Sequence, residues 1–174
     1  MTLAPPRATL PKYCNSRTES PAMPCAIRPL SPTDREIWES LFQAYAEFYK
    51  TRVPDGGFDT VWNWVFDPDT PFWCDLALDG AGQVRGFAQY QQMHRSLGGG
   101  MVCYLSDLYV QPSARGMGMG RALIDHVRAA ARAQGLTNLR WLTQDFNYGA
   151  RQLYDSYSPK SDFILYSIGT DPQS

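Results

Sequence analysis

The stretch QPSARGMGMGRALIDHV, residues 111–127, constrains the fold more than any other part of the chain. A proline turn leads into three glycines alternating with two methionines, and an amphipathic helix pattern begins at once. A helix N-terminus leaves its first N–H groups unpaired and carries partial positive charge. Glycines at that point let those groups approach an anion closely, because no Cβ stands in the way. A strand, then Arg115-Gly116-Met117-Gly118-Met119-Gly120-Arg121, then a helix is the physical form of a pyrophosphate cradle, with Arg115 and Arg121 as cations at its rim. Two alternatives compete. One is an ordinary glycine-rich turn before a helix. The other is a dinucleotide fold, but that fold carries GxGxxG at the start of a parallel array. The spacing here is GxGxG, and an antiparallel hairpin pattern precedes it.

The rest of the chain supplies the frame. CAIRPL, residues 25–30, reads as a short strand. A helix follows, with Ser31 as N-cap and Pro32 at the first helical position. Its apolar residues Ile37, Leu41, Ala44, Tyr45 and Phe48 recur at helical spacing. Residues 58–68 form a short aromatic helix ended by Pro68. FWCDLAL and VRGFAQYQQMH flank the turn signal DGAGQ, and SLGGG leads on into MVCYLSDLYV, so three consecutive antiparallel strands are expected. A helix is expected over 116–134, stopped by Gly135, then a strand over 139–144, a helix over 147–157 and a last strand over 162–169. The fold class is α/β (α+β), with a single mixed, mostly antiparallel sheet flanked by helices.

Composition narrows the function classes. A hydrophobic content of 44% in 174 residues is that of a folded chain with a sizeable core. A formal charge of −1 provides no general attraction to nucleic acid or to an anionic membrane, and no stretch approaches the length of a membrane span. Cys14, Cys25, Cys74 and Cys103 are scattered, and His94 and His126 lie far apart, so no metal site or disulfide framework is expected. Scattered reduced cysteines favour the cytoplasm. Residues 1–24, rich in Pro, Ser and Thr, read as a disordered leader without a secretory h-region, and Met23 is an alternative start.

With these residues in view, LYVQPSARGMGMGRALI resembles motif A of the GNAT acyl-CoA-dependent N-acetyltransferases, Q/R-x-x-G-x-G/A, with Arg115, Gly118 and Gly120 at the fixed positions. DFNYGARQLYDSY resembles that family's later helix, Asn-x-x-Ala-x-x-x-Tyr, through Asn147, Ala150 and Tyr154. The resemblance extends over about residues 25–168 in the family's element order, closest to the branch with histone, polyamine and D-amino-acid acetyltransferases. One departure is that SPKSDF stands where members carry Gly-Phe after the tyrosine helix, with Phe163 a candidate for the Phe. The resemblance implies an acyl-CoA N-acyltransferase domain over 25–170 that uses acetyl-CoA and an amine acceptor, with no metal. It implies that the strand Leu108, Tyr109 and Val110 holds the pantetheine arm through its backbone. Residues Arg115 to Arg121, including Gly116, Met117 and Met119, would hold the pyrophosphate.

Acetyl transfer from a thioester to an amine needs a neutral amine, a stabilised oxyanion and a protonated leaving thiolate. Deprotonating an alkyl ammonium of pKa about 10.4 at pH 7 costs roughly 4–5 kcal/mol. The resemblance implies Tyr154 as the general acid toward the coenzyme A sulfur; the alternative is a tyrosine that packs its helix. Asn147 would bond the pantetheine or act as a helix N-cap. A backbone N–H near Tyr109 or Val110 would polarise the thioester carbonyl. Asp107, on the strand entering the loop, is the candidate base, with Glu47 second; for either, the alternative is a solvated carboxylate. His126 reads as a surface or packing residue, and His94 has no partner visible in the sequence. The aromatic segment with Phe48, Tyr49, Phe58, Trp62, Trp64, Asp55 and Asp59 would suit a cationic amine, or would simply be core. The alternative function is an acyl-CoA-binding sensor without turnover. The expected last strand offers an edge for a homodimer.

Overall fold

The computed structural model describes residues 25–170. The proposed leader, Cys14 and Met23 lie outside them. The chain forms two compact units that divide between Leu142 and Thr143.

In the first unit, β1 (Ala26–Pro29), β2 (Phe72–Leu78), β3 (Val84–Arg95), β4 (Gly100–Val110) and β5 (Leu139–Arg140) form one sheet in the order β1-β2-β3-β4-β5. The pairs are antiparallel except β4 with β5, which is parallel. The three consecutive antiparallel strands expected from the turn signals are present. The first hairpin closes on Asp79, whose carboxylate accepts from the N–H groups of Ala81 and Gln83 at 2.9 and 3.0 Å. This local acceptor does what turn aspartates do, replacing ladder bonds that the chain reversal removes.

Helices α1 (Arg35–Phe48) and α2 (Gly57–Phe66) cover one face of the sheet, and α3 (Met119–Ala133) packs on the other. Strand alternation divides the side chains between them. Cys74, Leu76 and Phe87 join Trp38, Leu41, Val65 and Tyr109 in the core under α1 and α2. Asp75, next in line on β2, points to the other face and meets His126 of α3.

Several boundaries differ from expectation. Pro32–Asp34 is a single 3-10 turn, and α1 proper starts at Arg35. The Asp34 carboxylate turns back on the Ser31 N–H at 2.8 Å and takes both guanidinium nitrogens of Arg28 at 2.6 and 2.8 Å, which holds that turn against β1. Helix α3 begins at Met119, not 116, because Gly116 and Gly118 have φ of +78° and +81° and cannot continue a right-handed helix. β5 keeps only two of the six expected residues, since β4 bonds it only at Cys103 and Tyr104. The strand expected over 162–169 does not form: Phe163, Ile164, Leu165, Tyr166 and Ile168 are 71–88% exposed in irregular backbone. An apolar β-prone run becomes a strand only where a neighbouring edge completes its ladder.

Candidate active site

The strand β4 reaches the glycine loop with one backbone edge open. Its pairing with β3 runs to Val110, whereas its pairing with β5 stops at Tyr104. Beyond Tyr104 the β4 backbone has no strand partner on the β5 side among the described residues, the kind of edge to which an extended ligand could add. The 3-10 turn Pro112–Ala114 follows, then Arg115 in extended conformation. Gly118 in the left-handed region precedes the first turn of α3, where Ala122 donates to the Gly118 carbonyl at 3.0 Å. A Cβ at Gly116 or Gly118 would meet nothing within 4 Å, so the space over the loop is open, and it is the positive φ that demands glycine. Arg115 Nε bonds the Val110 carbonyl at 3.1 Å and its guanidinium lies 5.5 Å from the Phe48 ring centroid. Arg121 is exposed on the first turn of α3, and Met117 is 39% exposed. The Met119 side chain is buried in the core, so this position offers a ligand only its backbone.

Asp107 is brought to the α1 face by an irregularity in β4. Gln89 of β3 pairs with Asp107, but its neighbour Tyr90 pairs with Leu105, leaving Ser106 as an extra residue. A bulge of this kind breaks the alternation of sides. Gln91 Nε2 bonds Ser106 Oγ at 3.2 Å and Gln89 Nε2 bonds Asp107 Oδ2 at 2.7 Å, so consecutive β4 side chains meet the same face of β3. Strict strand alternation would have placed Asp107 on the face opposite Ser106, and the bulge puts both on one face.

Asp107 is half-buried and tied into a side-chain network. Gln89, fully buried, accepts at Oε1 from Trp38 Nε1 at 2.9 Å while donating to Asp107. Burial pushes the Asp107 carboxyl above its ordinary range, and the polar groups of Gln89 and Tyr45 nearby pull it partly back. Glu47, by contrast, is exposed and accepts from Gln43 at 3.0 Å.

Next to this network a cavity of about 400 Å³ opens between α1, α2 and their connecting loop, with Tyr45, Phe42, Ala46, Val53, Val61 and Trp64 in its wall. Only part of the aromatic segment serves it. Phe58 and Trp62 pack on Trp38, with centroids 6.1 and 5.4 Å away. Arg35 lies 4.9 Å from the Trp62 centroid and bonds Asp59 at 2.6 Å, so the cation site that those two residues could have made is filled from within the chain. Asp55 stands at the rim, 3.7 Å from Arg52.

The second unit carries the other two candidates on α4 (Tyr148–Asp155). Asn147 stands at the N-cap position and its Nδ2 bonds Thr143 Oγ1 at 3.1 Å. Tyr154 is half-buried, seven positions on and hence on the same face of the helix turn sequence.

Sequence reasoning missed Gln89, Trp38 and Tyr45 as site residues. Tyr45 was absorbed into an apolar helical stripe, where its hydroxyl leaves no mark in the pattern. Gln89 did leave one, a polar residue at an inward strand position next to Phe87. On the opposite face, His126 is a packing residue with a partner: its Nε2 lies 3.2 Å from Asp75 Oδ2, which also accepts from Tyr90 at 2.7 Å. His94 is exposed. Among the described residues no three His, Cys, Asp or Glu side chains converge as metal ligands, and no helix is long and apolar enough to cross a membrane.

Comparison with known proteins agrees with this architecture. The profile of the Acetyltransferase (GNAT) family matches residues 38–157. The chain is 35% identical over 141 residues to the D-amino-acid N-acetyltransferase HPA3 of Saccharomyces cerevisiae, covering 80% of this chain and 88% of that protein. A crystal structure of a probable acetyltransferase superimposes with a TM-score of 0.72 at 24% identity, covering 83% of this chain and 97% of that one. AAC(6')-Iy, in complex with the bisubstrate analog CoA-S-monomethyl-acetylneamine, gives 0.71 at 19% identity with the same coverages.

Proposed function

The chain belongs to the GNAT family of acetyltransferases, and from that premise we propose that it moves an acetyl group from acetyl-CoA to a primary amine by direct transfer. The observation that carries the reading is the junction of three features. The unpaired edge of β4 runs into the left-handed glycine loop at the start of α3, and the half-buried Asp107, bonded to Gln89, lies on that same strand.

The pantetheine arm adds to the free edge at Leu108, Tyr109 and Val110, and the pyrophosphate meets the backbone of Arg115 to Arg121 at the α3 N-terminus. The side chains of Arg115 and Arg121 supply cations at its rim. An amine seated beside the thioester attacks its carbonyl carbon, and holding both partners together removes much of the entropic barrier. A β4 backbone N–H near Tyr109 or Val110 stabilises the tetrahedral oxyanion, a contribution of about 3 kcal/mol for one good donor. Asp107 accepts the amine proton. Tyr154 protonates the departing thiolate, a step for which a phenol of pKa about 10 is well matched. Asn147 orders the start of the helix that presents it. The apolar wall of the cavity favours an amine on a small apolar body, and the similarity to a D-amino-acid N-acetyltransferase makes apolar D-amino acids the first acceptors to try. A second copy of the chain covers the exposed run Phe163–Ile168, making a homodimer.

The test is thiol release from acetyl-CoA with D- and L-amino acids, polyamines, aminoglycosides and a lysine-rich peptide. Acceptor-dependent release supports the reading, and Tyr154→Phe should then lose turnover while coenzyme A still raises the melting temperature. Stabilisation by coenzyme A with no release for any amine would mark an acyl-CoA-binding module, and stabilisation by NAD alone a dinucleotide binder.

A further inference from the structure

Arg115 stands just past the end of β4, and two neutral groups hold its side chain. The Gln111 N–H donates to the Arg85 carbonyl at 2.8 Å, which makes those two a hydrogen-bonded pair at the end of the β3–β4 ladder. The next pair, Gly86 with Val110, is therefore of the other kind, and the Val110 carbonyl turns away from β3. That is the side on which β4 has no strand partner beyond Tyr104 among the described residues. Arg115 Nε donates to this carbonyl at 3.1 Å, and its guanidinium carbon lies 5.5 Å from the Phe48 ring centroid. Neither partner carries a charge. Glu47, the carboxylate beside Phe48 on α1, accepts from Gln43 at 3.0 Å instead. The Arg115 charge is thus held in place without being neutralised, and the outer N–H groups of its guanidinium fork are left for an anion. We propose that Phe48 is a positioning residue for the coenzyme, its ring holding the Arg115 guanidinium beside the glycine loop for the pyrophosphate, and this rests on the acetyltransferase reading above.

Arg115 is exposed and Phe48 half-buried. A long side chain in water moves among many rotamers, and immobilising it only when the ligand arrives costs affinity. An aromatic face attracts a guanidinium through its negative quadrupole and orders it beforehand. The ring that does this is itself braced. Phe48 meets Tyr49 edge-on, with centroids 5.0 Å apart at 87°, Tyr49 meets Tyr45 at 5.0 Å, and Tyr45 meets Tyr109 at 6.2 Å. Tyr109 precedes Val110 on β4, so the contacts close a circuit from β4 through the end of α1 and back to β4 through Arg115. Phe48 does not line the cavity between α1 and α2. The sequence grouped it with the aromatic residues suited to a cationic acceptor, whereas in the structure a cation of the chain itself lies over its ring.

The test is coenzyme A binding, by titration calorimetry, to the whole chain with Phe48 replaced by mono-, di- and trifluorinated phenylalanine. Fluorine keeps the shape of the ring and drains its negative face. Affinity should fall stepwise along the series, to about 2–10-fold below wild type, while the melting temperature of the protein alone stays the same. Phe48→Leu, which has no ring, should bind coenzyme A about 3–30-fold more weakly, and Phe48→Tyr should bind it as the wild type does. In thiol release, Phe48→Leu should raise the KM for acetyl-CoA by the same factor and leave kcat and the KM for the amine within about twofold. In an Arg115→Met background the fluorinated series should be flat, because the cation it acts on is gone. A flat series with Arg115 present, or the same decline with Arg115→Met, marks a ring that merely packs and overturns the proposal. A raised KM for the amine with coenzyme affinity unchanged would put Phe48 on the acceptor side and also overturns it. Should Phe48→Leu fail to fold, the fluorinated series decides alone. A wild type that does not bind coenzyme A refutes the acetyltransferase reading itself, an outcome seen before any variant is made.

Discussion

Gln89→Leu isolates the energy of the network under the site. Gln89 is fully buried with both ends of its amide used, accepting from Trp38 at 2.9 Å and donating to Asp107 at 2.7 Å. Leucine has nearly the same volume, so little cavity is created. What changes is polar. The indole N–H of Trp38, itself fully buried, is left without an acceptor, at a cost of about 1–3 kcal/mol. Asp107 loses a charge-assisted bond, roughly another 1.5–3 kcal/mol. The added apolar burial returns about 1 kcal/mol. The net expectation is a loss of about 1.5–5 kcal/mol, a large share of the 5–15 kcal/mol typical of a domain.

The pH dependence carries a definite sign. Gln89 stabilises the charged carboxylate, so removing it raises the Asp107 pKa further. The cost of Gln89→Leu is therefore largest at neutral pH and shrinks as pH falls through the Asp107 titration. Urea unfolding at several pH values reads both quantities. Trp38→Phe removes the donor that would be orphaned, so the double variant should lose less than the sum of the single losses by at least about 1 kcal/mol. A Gln89→Leu cost below about 0.5 kcal/mol, or additive behaviour in the double variant, would refute the reasoning.

Three further outcomes follow from named contacts. Gly118→Ala places a Cβ at φ +81°, which should cost about 1–2 kcal/mol in thermal unfolding and weaken coenzyme A binding in titration calorimetry. In Gly86→Ala the new Cβ would lie 2.4 Å from the Tyr109 carbonyl oxygen, so β3 and β4 must part; a loss of about 1–3 kcal/mol and a raised KM for acetyl-CoA are expected. The Arg28 guanidinium, helped by Ser31, holds the Asp34 carboxyl well below the usual carboxylate range, so its contribution is present above about pH 4 and lost as pH falls through the folded-state pKa. Asp34→Asn should flatten the acid side of the stability-against-pH curve measured by denaturant unfolding.

Much of this protein was legible one residue at a time. The glycine loop, the helix after it and the three antiparallel strands depend on backbone preferences and short spacings, and these act within a few residues. The Asn147-to-Tyr154 interval is of the same kind, a spacing that any helix turns into a shared face. Other features depended on which strand or side chain arrived from elsewhere. The run at 162–169 has every local mark of a strand, yet a ladder needs a second edge, and β5 itself keeps only two residues for the same reason. Trp62 and Asp59 looked ready for a cationic substrate until Arg35, far off in sequence, filled the place. The face taken by Asp107 was decided by one extra residue in β4, Ser106, and an extra residue exists only relative to the partner strand. Gln89 became a site residue because that bulge turned a carboxylate toward it. Hydrogen bonding in a buried network is set by three-dimensional neighbours, and no spacing along a single chain records them.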